Sequence, residues 1–191
     1  MHIRKTGLFV AVICLFLSLP ALAQSNELAV TAGGQFPNNS EFNSGASWAV
    51  GASFAHRIVH APLASLYWEI PVVGAPESVM KAPFDTTYSS LFVTPGLKVK
   101  FAPEFPLSPW LAAGVGVARY HNSANATFPD QTSTKAVFDL GGGLDLKIAP
   151  FLSIRGEVRD FYSGLPDIAS ASGLSGKQHN IVPQVGLVLR F

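Results

Sequence analysis

The stretch "LSIRGEVRDF", residues 152–161, carries Arg155, Glu157 and Arg159 on alternate positions, with Leu152, Ile154 and Val158 on the opposite parity. An extended strand points successive side chains to opposite faces, so this segment has one charged face and one apolar face. Two surroundings are compatible with it. In a soluble lipid carrier of lipocalin type, water wets the charged side and the apolar side turns inward. In a membrane barrel, hydrocarbon lies against the apolar side and the charges are enclosed.

Composition decides between the two. Charged residues are 13 % of the chain, against about 25 % in soluble globular domains, which leaves a water-exposed surface poorly supplied. Apolar residues reach 48 %, yet beyond residue 23 no segment is apolar for the roughly 18 residues that mark a membrane helix. Apolar residues that are many but interleaved are the pattern of a transmembrane β-barrel, where lipid-facing and lumen-facing residues alternate. An Arg held against lipid at mid-membrane would cost about 2–4 kcal/mol, so Arg155 and Arg159 are expected to point into the lumen.

The same parity orders the other segments. In "FDLGGGLDLKI" (138–148) it sends Asp139, Asp145 and Lys147 inward and Phe138, Leu140, Leu144, Leu146 and Ile148 outward. In "LFVTPGLKVKF" (91–101) Thr94, Lys98 and Lys100 go in, while Leu91, Val93, Leu97, Val99 and Phe101 go out. "YWEIPVV" (67–73) turns Glu69 in and Trp68, Ile70 and Val72 out. "SWAVGASFAHR" (47–57) turns Ser47, Gly51, Ser53 and Arg57 in and Trp48, Val50 and Phe54 out. In "PWLAAGVGVARY" (109–120) small residues carry little parity; Leu111, Ala113, Val115 and Val117 are expected outward, leaving Arg119 at the lipid-side edge, where it can snorkel.

Eight such segments recur, at 27–36, 46–57, 65–73, 89–101, 109–120, 136–148, 152–161 and 180–191. Each is near the 9–11 residues that cross a bilayer as a tilted strand. Their connections alternate between long polar stretches (36–45, 74–89, 121–135, 162–179) and shorter proline-bearing ones (58–65, 102–108, 149–151). Long extracellular loops alternating with short periplasmic turns is the outer-membrane arrangement. The expected fold is therefore all-β, an eight-stranded antiparallel up-and-down transmembrane β-barrel with both termini in the periplasm and four loops outside.

The ends of the chain agree. His2, Arg4 and Lys5 precede an apolar run from Leu8 to Leu19 and the small-residue site Ala21-Leu22-Ala23, which reads as a cleaved secretory signal over 1–23. Residues 24–191 then form one barrel domain. Cys14, the single cysteine, falls inside the signal, so no disulfide or sulfur-held metal is expected in the barrel. Without Arg4 and Lys5 the 13 basic residues become 11 against 12 acidic ones, and no basic stripe suggests nucleic acid. At the other end, "VGLVLRF" (185–191) turns Val185, Leu187, Leu189 and Phe191 outward and Gln184 and Arg190 inward, putting an aromatic ring at the membrane interface.

In that last strand the chain resembles small eight-stranded bacterial outer-membrane barrels, of the kind of the membrane domain of outer membrane protein A. The resemblance covers residues 24–191 at the level of pattern. It implies that Val185, Leu187, Leu189 and Phe191 form the signal read by the barrel-assembly machinery. It also implies a Gram-negative outer membrane as the location, with its lipids and lipopolysaccharide as surroundings. The peptidoglycan-binding domain of that family has no counterpart in this sequence.

An eight-stranded barrel has room for little beyond its own side chains, and buried charge is tolerated when paired. Glu69, Asp139, Asp145 and Glu157 against Lys98, Lys100, Lys147, Arg155, Arg159 and Arg190 are thus expected to plug the lumen as a salt-bridged network with a basic excess, Arg57 lying near the periplasmic rim. A narrow ion path through the basic cluster is the alternative. No P-loop, nucleophile elbow or HExxH motif occurs, His56, His60 and His179 lack partners at metal spacing, and no cofactor is expected. One pair bears on catalysis: His121 and Ser123, two apart at a strand top, resemble the His-x-Ser of outer-membrane lipid A deacylases, with His121 as base and Ser123 as nucleophile. That family sets the pair later in the barrel, with an acidic partner on the following strand. The leading expectation is a non-enzymatic barrel serving envelope structure or surface contact, its extracellular partner unspecified, with Arg119 and Lys135 near lipopolysaccharide phosphates.

Overall fold

The computed structural model describes residues 25–38, 45–80, 86–122, 131–165 and 176–191, without the side chains of 77–80, 86 and 131. The expected signal, 1–23, lies outside the described residues, as does Ser123. The described chain is strand throughout apart from short turns: β1 (Asn26–Asn38), β2 (Ser47–His60), β3 (Ala64–Met80), β4 (Thr86–Val93), β5 (Gly96–Phe101), β6 (Leu107–Asn122), β7 (Gln131–Ala149), β8 (Leu152–Gly164) and β9 (Lys177–Arg190).

Apart from β4 and β5, which do not pair with each other, each strand pairs antiparallel with its sequence neighbours, and β9 pairs with β1 to close the sheet on itself. β4 and β5 together make a single stave, because both pair with β3 on one side and β6 on the other. The result is a closed antiparallel barrel of eight staves. Backbone bonds tie Asn26 to Phe191 in both directions, at 2.9 and 3.1 Å, so the first and last strands meet at one end of the cylinder. The short turns at 61–63, 102–106 and 150–151 share this terminal end, and the facing ends of β1 and β2, β3 and β4, β6 and β7, and β8 and β9 lie at the other, loop end.

Burial alternates along the staves with period two. Outward positions carry Leu28, Val30, Trp48, Phe54, Leu111, Val115, Leu140, Leu144, Val158 and Leu187, all exposed. Phe101, Phe105, Phe151 and Phe191 add exposed rings near the terminal end, and Phe36 and Trp48 toward the loop end. Inward positions carry nearly all the buried charge. Val185, Leu187, Leu189 and Phe191 lie on the outer face, and Gln184 and Arg190 on the inner.

The strands reach further toward the loop end than composition suggests. β3 continues to Met80, β6 to Asn122, and β7 starts at Gln131, inside stretches whose Ser, Thr, Asn and Pro content marks them as loops. Ladder bonds use only backbone N–H and C=O, so pairing continues after the apolar alternation stops. The expected strand 89–101 is interrupted at Thr94–Pro95, where proline offers no N–H. Thr94 N still donates to Pro71 O at 3.2 Å, and Val115 N to Pro95 O at 3.1 Å, so the register is kept across the gap. A second gap lies between β1 and β9. Pairing there stops at Gly33–Gln184 and resumes at Phe36–Ile181, around Pro183. By contrast β6 and β7 pair without interruption from Leu107–Leu146 to Asn122–Gln131. At Gly186 an added Cβ would stand 1.9 Å from the Val30 carbonyl oxygen of the neighbouring stave; the wall closes that tightly only because the position has no side chain.

Candidate functional site in the barrel lumen

The lumen is filled by side chains at two levels. In the terminal half the inner face of β8 presents Arg155, Glu157 and Arg159, all buried. Arg155 grips Asp145 of β7 through two bonds, Nε to Oδ1 at 2.8 Å and Nη2 to Oδ2 at 3.0 Å, a fork that fixes both planes. Arg159 donates to Asp139 Oδ2 at 2.8 Å and to Glu69 Oε2 at 2.7 Å, joining β7 to β3 across the lumen. Lys98 lies between Glu27 Oε2 at 2.9 Å and Glu69 Oε1 at 3.1 Å. Lys100 contacts Glu27 Oε1 and Asp145 Oδ2, the latter at 2.6 Å. Arg190 approaches Glu27 at 3.5 Å and Asp145 at 3.8 Å.

Trp110 of β6 is buried in the middle of this network. Arg155 lies 4.8 Å, Arg159 5.3 Å and Lys98 5.8 Å from its ring, within cation–π range. Gly143 leaves space for that ring, since a Cβ there would sit 2.8 Å from Trp110 Cζ2; Gly141 likewise leaves space for Arg159, whose Cγ would be 2.9 Å away. The Gly141-Gly142-Gly143 run thus lets two bulky inward side chains lie flat against β7. Thr94 bonds Asp139 at 3.1 Å, and the Thr31 hydroxyl lies between Glu157 and Gln184.

Toward the loop end the filling becomes aromatic. Phe92 stacks on Phe161 at 4.6 Å and meets Tyr120 edge-on at 6.0 Å, and Tyr88 packs on Tyr120 at 6.0 Å. The Tyr120 hydroxyl shares a 2.6 Å bond with Ser163 Oγ. Val137, Leu165 and Val182, with Ala49, Val73, Ala75 and Ala118, belong to the same buried cluster. Beside it, Gln35, Ser90, Gln178 and Asn180 are joined by side-chain hydrogen bonds of 2.7–3.0 Å.

Of the residues expected in the charge network, Glu69, Lys98, Lys100, Asp139, Asp145, Arg155, Glu157, Arg159 and Arg190 are brought together. Lys147 is not: it is half-buried at the terminal rim and forms no ion pair among the described residues. Glu27 joins the network from outside the expected set and contacts four cations, Lys98, Lys100, Arg155 and Arg190. The expected basic excess is therefore corrected to a balance. Among the described residues the buried set holds the acids Glu27, Glu69, Asp139, Asp145 and Glu157 and the bases Lys98, Lys100, Arg155, Arg159 and Arg190. Parity would have found Glu27, because Leu28 and Val30 are apolar and lie on the other face. The same rule applied beside Leu91 and Val93 would have turned Phe92 inward.

The remaining candidates are dispersed. His121, next to last in β6, lies on the outward side with Nδ1 3.1 Å from Thr132 Oγ1, while Ser123, its expected partner, is outside the described residues. Arg57 is half-buried on the inward face near the terminal rim. His56 meets Asn26 at 2.9 Å, His60 meets Ser65 at 3.2 Å, and His179 meets Asp160 across the β8–β9 pair at 2.6 Å. No group of three or more His, Cys, Asp or Glu side chains is set to hold a metal among the described residues.

No protein-family model matches this chain, and no curated protein matches it in sequence. Solved structures do match in shape. Neisserial surface protein A superposes with a TM-score of 0.68 at 16 % identity, over 88 % of this chain and 98 % of that one. Ail, the attachment invasion locus protein of Yersinia pestis, gives 0.56 at 12 % identity, over 87 % and 99 %. The N-terminal β-barrel domain of Pseudomonas aeruginosa OprF gives 0.54 at 13 % identity, over 87 % and 98 %. Stave number and closure agree with these comparisons: the chain has the fold of the small outer-membrane β-barrels, as in outer membrane protein A.

Proposed function

We propose that this protein is a non-enzymatic integral protein of the bacterial outer membrane, closed to ions, that presents four loops outward and serves envelope structure or surface contact. The observation that carries the reading is the inversion of surface and interior: exposed Leu, Val, Ile and Phe all round the outside, and, among the described residues, ten ionisable side chains buried within. Such a cylinder is stable only where hydrocarbon replaces water on its outside. The exposed rings near the two ends then lie at the two interfaces. Termini in the periplasm follow from the short turns at their end. Val185, Leu187, Leu189 and Phe191 are read by the assembly machinery in this scheme, as the family resemblance implies.

The closed lumen rests on the ionic tier and the aromatic tier lying one above the other. Purified protein reconstituted in planar bilayers is expected to give no steady conductance, and in cells it is expected to remain in the membrane after alkaline washing and to shift on gels between unheated and heated samples. Release by washing would end the membrane reading. A steady conductance abolished by substituting Arg155 and Arg159 would end the closed-lumen reading in favour of an ion path.

A further inference from the structure

Near the loop end, the outer wall has a recess of about 640 Å³ over β2, β3, β4, β6 and β7. Register defines its construction. Val50, Gly74, Leu91, Arg119 and Thr134 are successive partners across five staves and form one outward row. Below it lies a wholly apolar row, Ala52, Val72, Val93, Val117 and Ala136. Above it are Ser89, His121 and Thr132, again direct partners. Two residues along a strand advance about 7 Å, so the recess passes from hydrocarbon-like wall to polar wall over two such steps, about 14 Å.

Gly74 makes the trough, because it contributes no side chain between Val50 and Leu91. Arg119 is exposed and forms no ion pair among the described residues, whereas each buried arginine has a carboxylate. Its planar fork of donors suits a phosphate, which accepts two parallel bonds. Thr134 sets a hydroxyl level with it and Thr132 another one row above, and His121 is oriented by Thr132 at 3.1 Å. An occupant must combine an anion with an apolar chain, aligned as lipids are in the leaflet around the barrel. We propose that the recess holds one phosphate-bearing lipid, its phosphate on Arg119 and the Thr132 and Thr134 hydroxyls, its acyl chain in the trough over Gly74. This rests on the membrane reading above.

Native mass spectrometry of the refolded protein, released from micelles containing either bisphosphorylated lipid A or the same lipid with its phosphates removed, tests it. The phosphorylated form is expected to be retained about ten-fold more strongly, the factor one charge-assisted contact supplies. Arg119→Gln abolishes that preference and leaves retention of the phosphate-free lipid unchanged. Gly74→Leu weakens both forms; a Cβ at Gly74 meets only ordinary contacts, Leu91 Cδ1 at 3.8 Å and Ser90 O at 3.9 Å, so the wall tolerates it. Glu104→Gln, in a turn at the opposite end, changes neither. Equal retention of the two lipids by the unsubstituted protein overturns the proposal even if every variant misfolds. So does an Arg119→Gln barrel that keeps the preference, and so does inorganic phosphate displacing the lipid at equal concentration, which would make the free anion the ligand. Heat-dependent mobility, scored first, reports insertion separately: a barrel that inserts but does not discriminate refutes the recess alone.

Discussion

Replacing Glu27 by Gln keeps the shape of the side chain and removes one negative charge from the balanced lumen. In the structure Glu27 Oε2 faces Lys98 at 2.9 Å and Arg155 at 3.5 Å, while Oε1 contacts Lys100 and faces Arg190 at 3.5 Å. Lys98 keeps Glu69, and Arg155 keeps Asp145, but Lys100 and Arg190 are left to share Asp145 with Arg155. Breaking a buried pair from one side typically costs about 3–5 kcal/mol, because a desolvated charge is left uncompensated. The lower half of that range is expected here, about 3 kcal/mol, since Asp145 still serves the stranded lysine. Urea unfolding of the barrel in bilayers, followed by tryptophan fluorescence, should show a lower midpoint with an unchanged slope. Adding Lys100→Met restores equal numbers of acids and bases, so the double variant should be at least about 1.5 kcal/mol more stable than the sum of the two single losses implies. If Glu27→Gln costs under about 1 kcal/mol, or the two changes add without coupling, the lumen is wet enough to screen its charges and the reasoning from dry pairing fails.

Phe161→Ala removes a fully buried ring stacked on Phe92 at 4.6 Å and should cost about 3–5 kcal/mol by urea unfolding, yet bilayers should stay silent because the ionic tier is untouched. Leu140→Arg puts a cation on the outer wall and should cost about 2–4 kcal/mol in a bilayer if that position lies at its midplane; refolding into bilayers reads it as a loss of the fast-migrating folded band. Gly186→Val forces a side chain into the Val30 carbonyl 1.9 Å from the Cβ position, so the β1–β9 closure should fail and only the unfolded band should appear on unheated gels.

Parity in a strand that carries charge is a strong signal, and it oriented the staves that hold Arg155, Glu69, Lys98 and Asp145, because a charge in hydrocarbon costs far more than any strand propensity contributes. Where charge is absent the signal weakens. Tyr88, Phe92, Tyr120 and Phe161 are as apolar as the residues that face outward, so hydrophobicity alone does not tell an aromatic inner tier from an outer wall. The lumen was legible as charged and illegible as layered for that reason. Glu27 was missed for another: it is the second residue of β1, at a strand end where charge ordinarily means solvent. Strand ends at Met80, Asn122 and Gln131 escaped because backbone pairing leaves no trace in side-chain polarity.

The proline gaps give the cylinder an uneven stiffness. One gap separates β3 from the β4–β5 stave, and the other separates β9 from β1. The first gap also interrupts the ladder to β6, which passes from Val93–Val117 to Gly96–Gly114, so the β4–β5 stave is loosened on both edges, whereas the β1–β2, β2–β3, β6–β7 and β8–β9 ladders continue past those levels. Missing rungs on nearly opposite sides act as paired creases. Squeezed by its surroundings, the wall should ovalise by folding slightly along these two lines, and amide hydrogens beside Thr94 and Gln35 should exchange sooner than those of β6 and β7 at the same height.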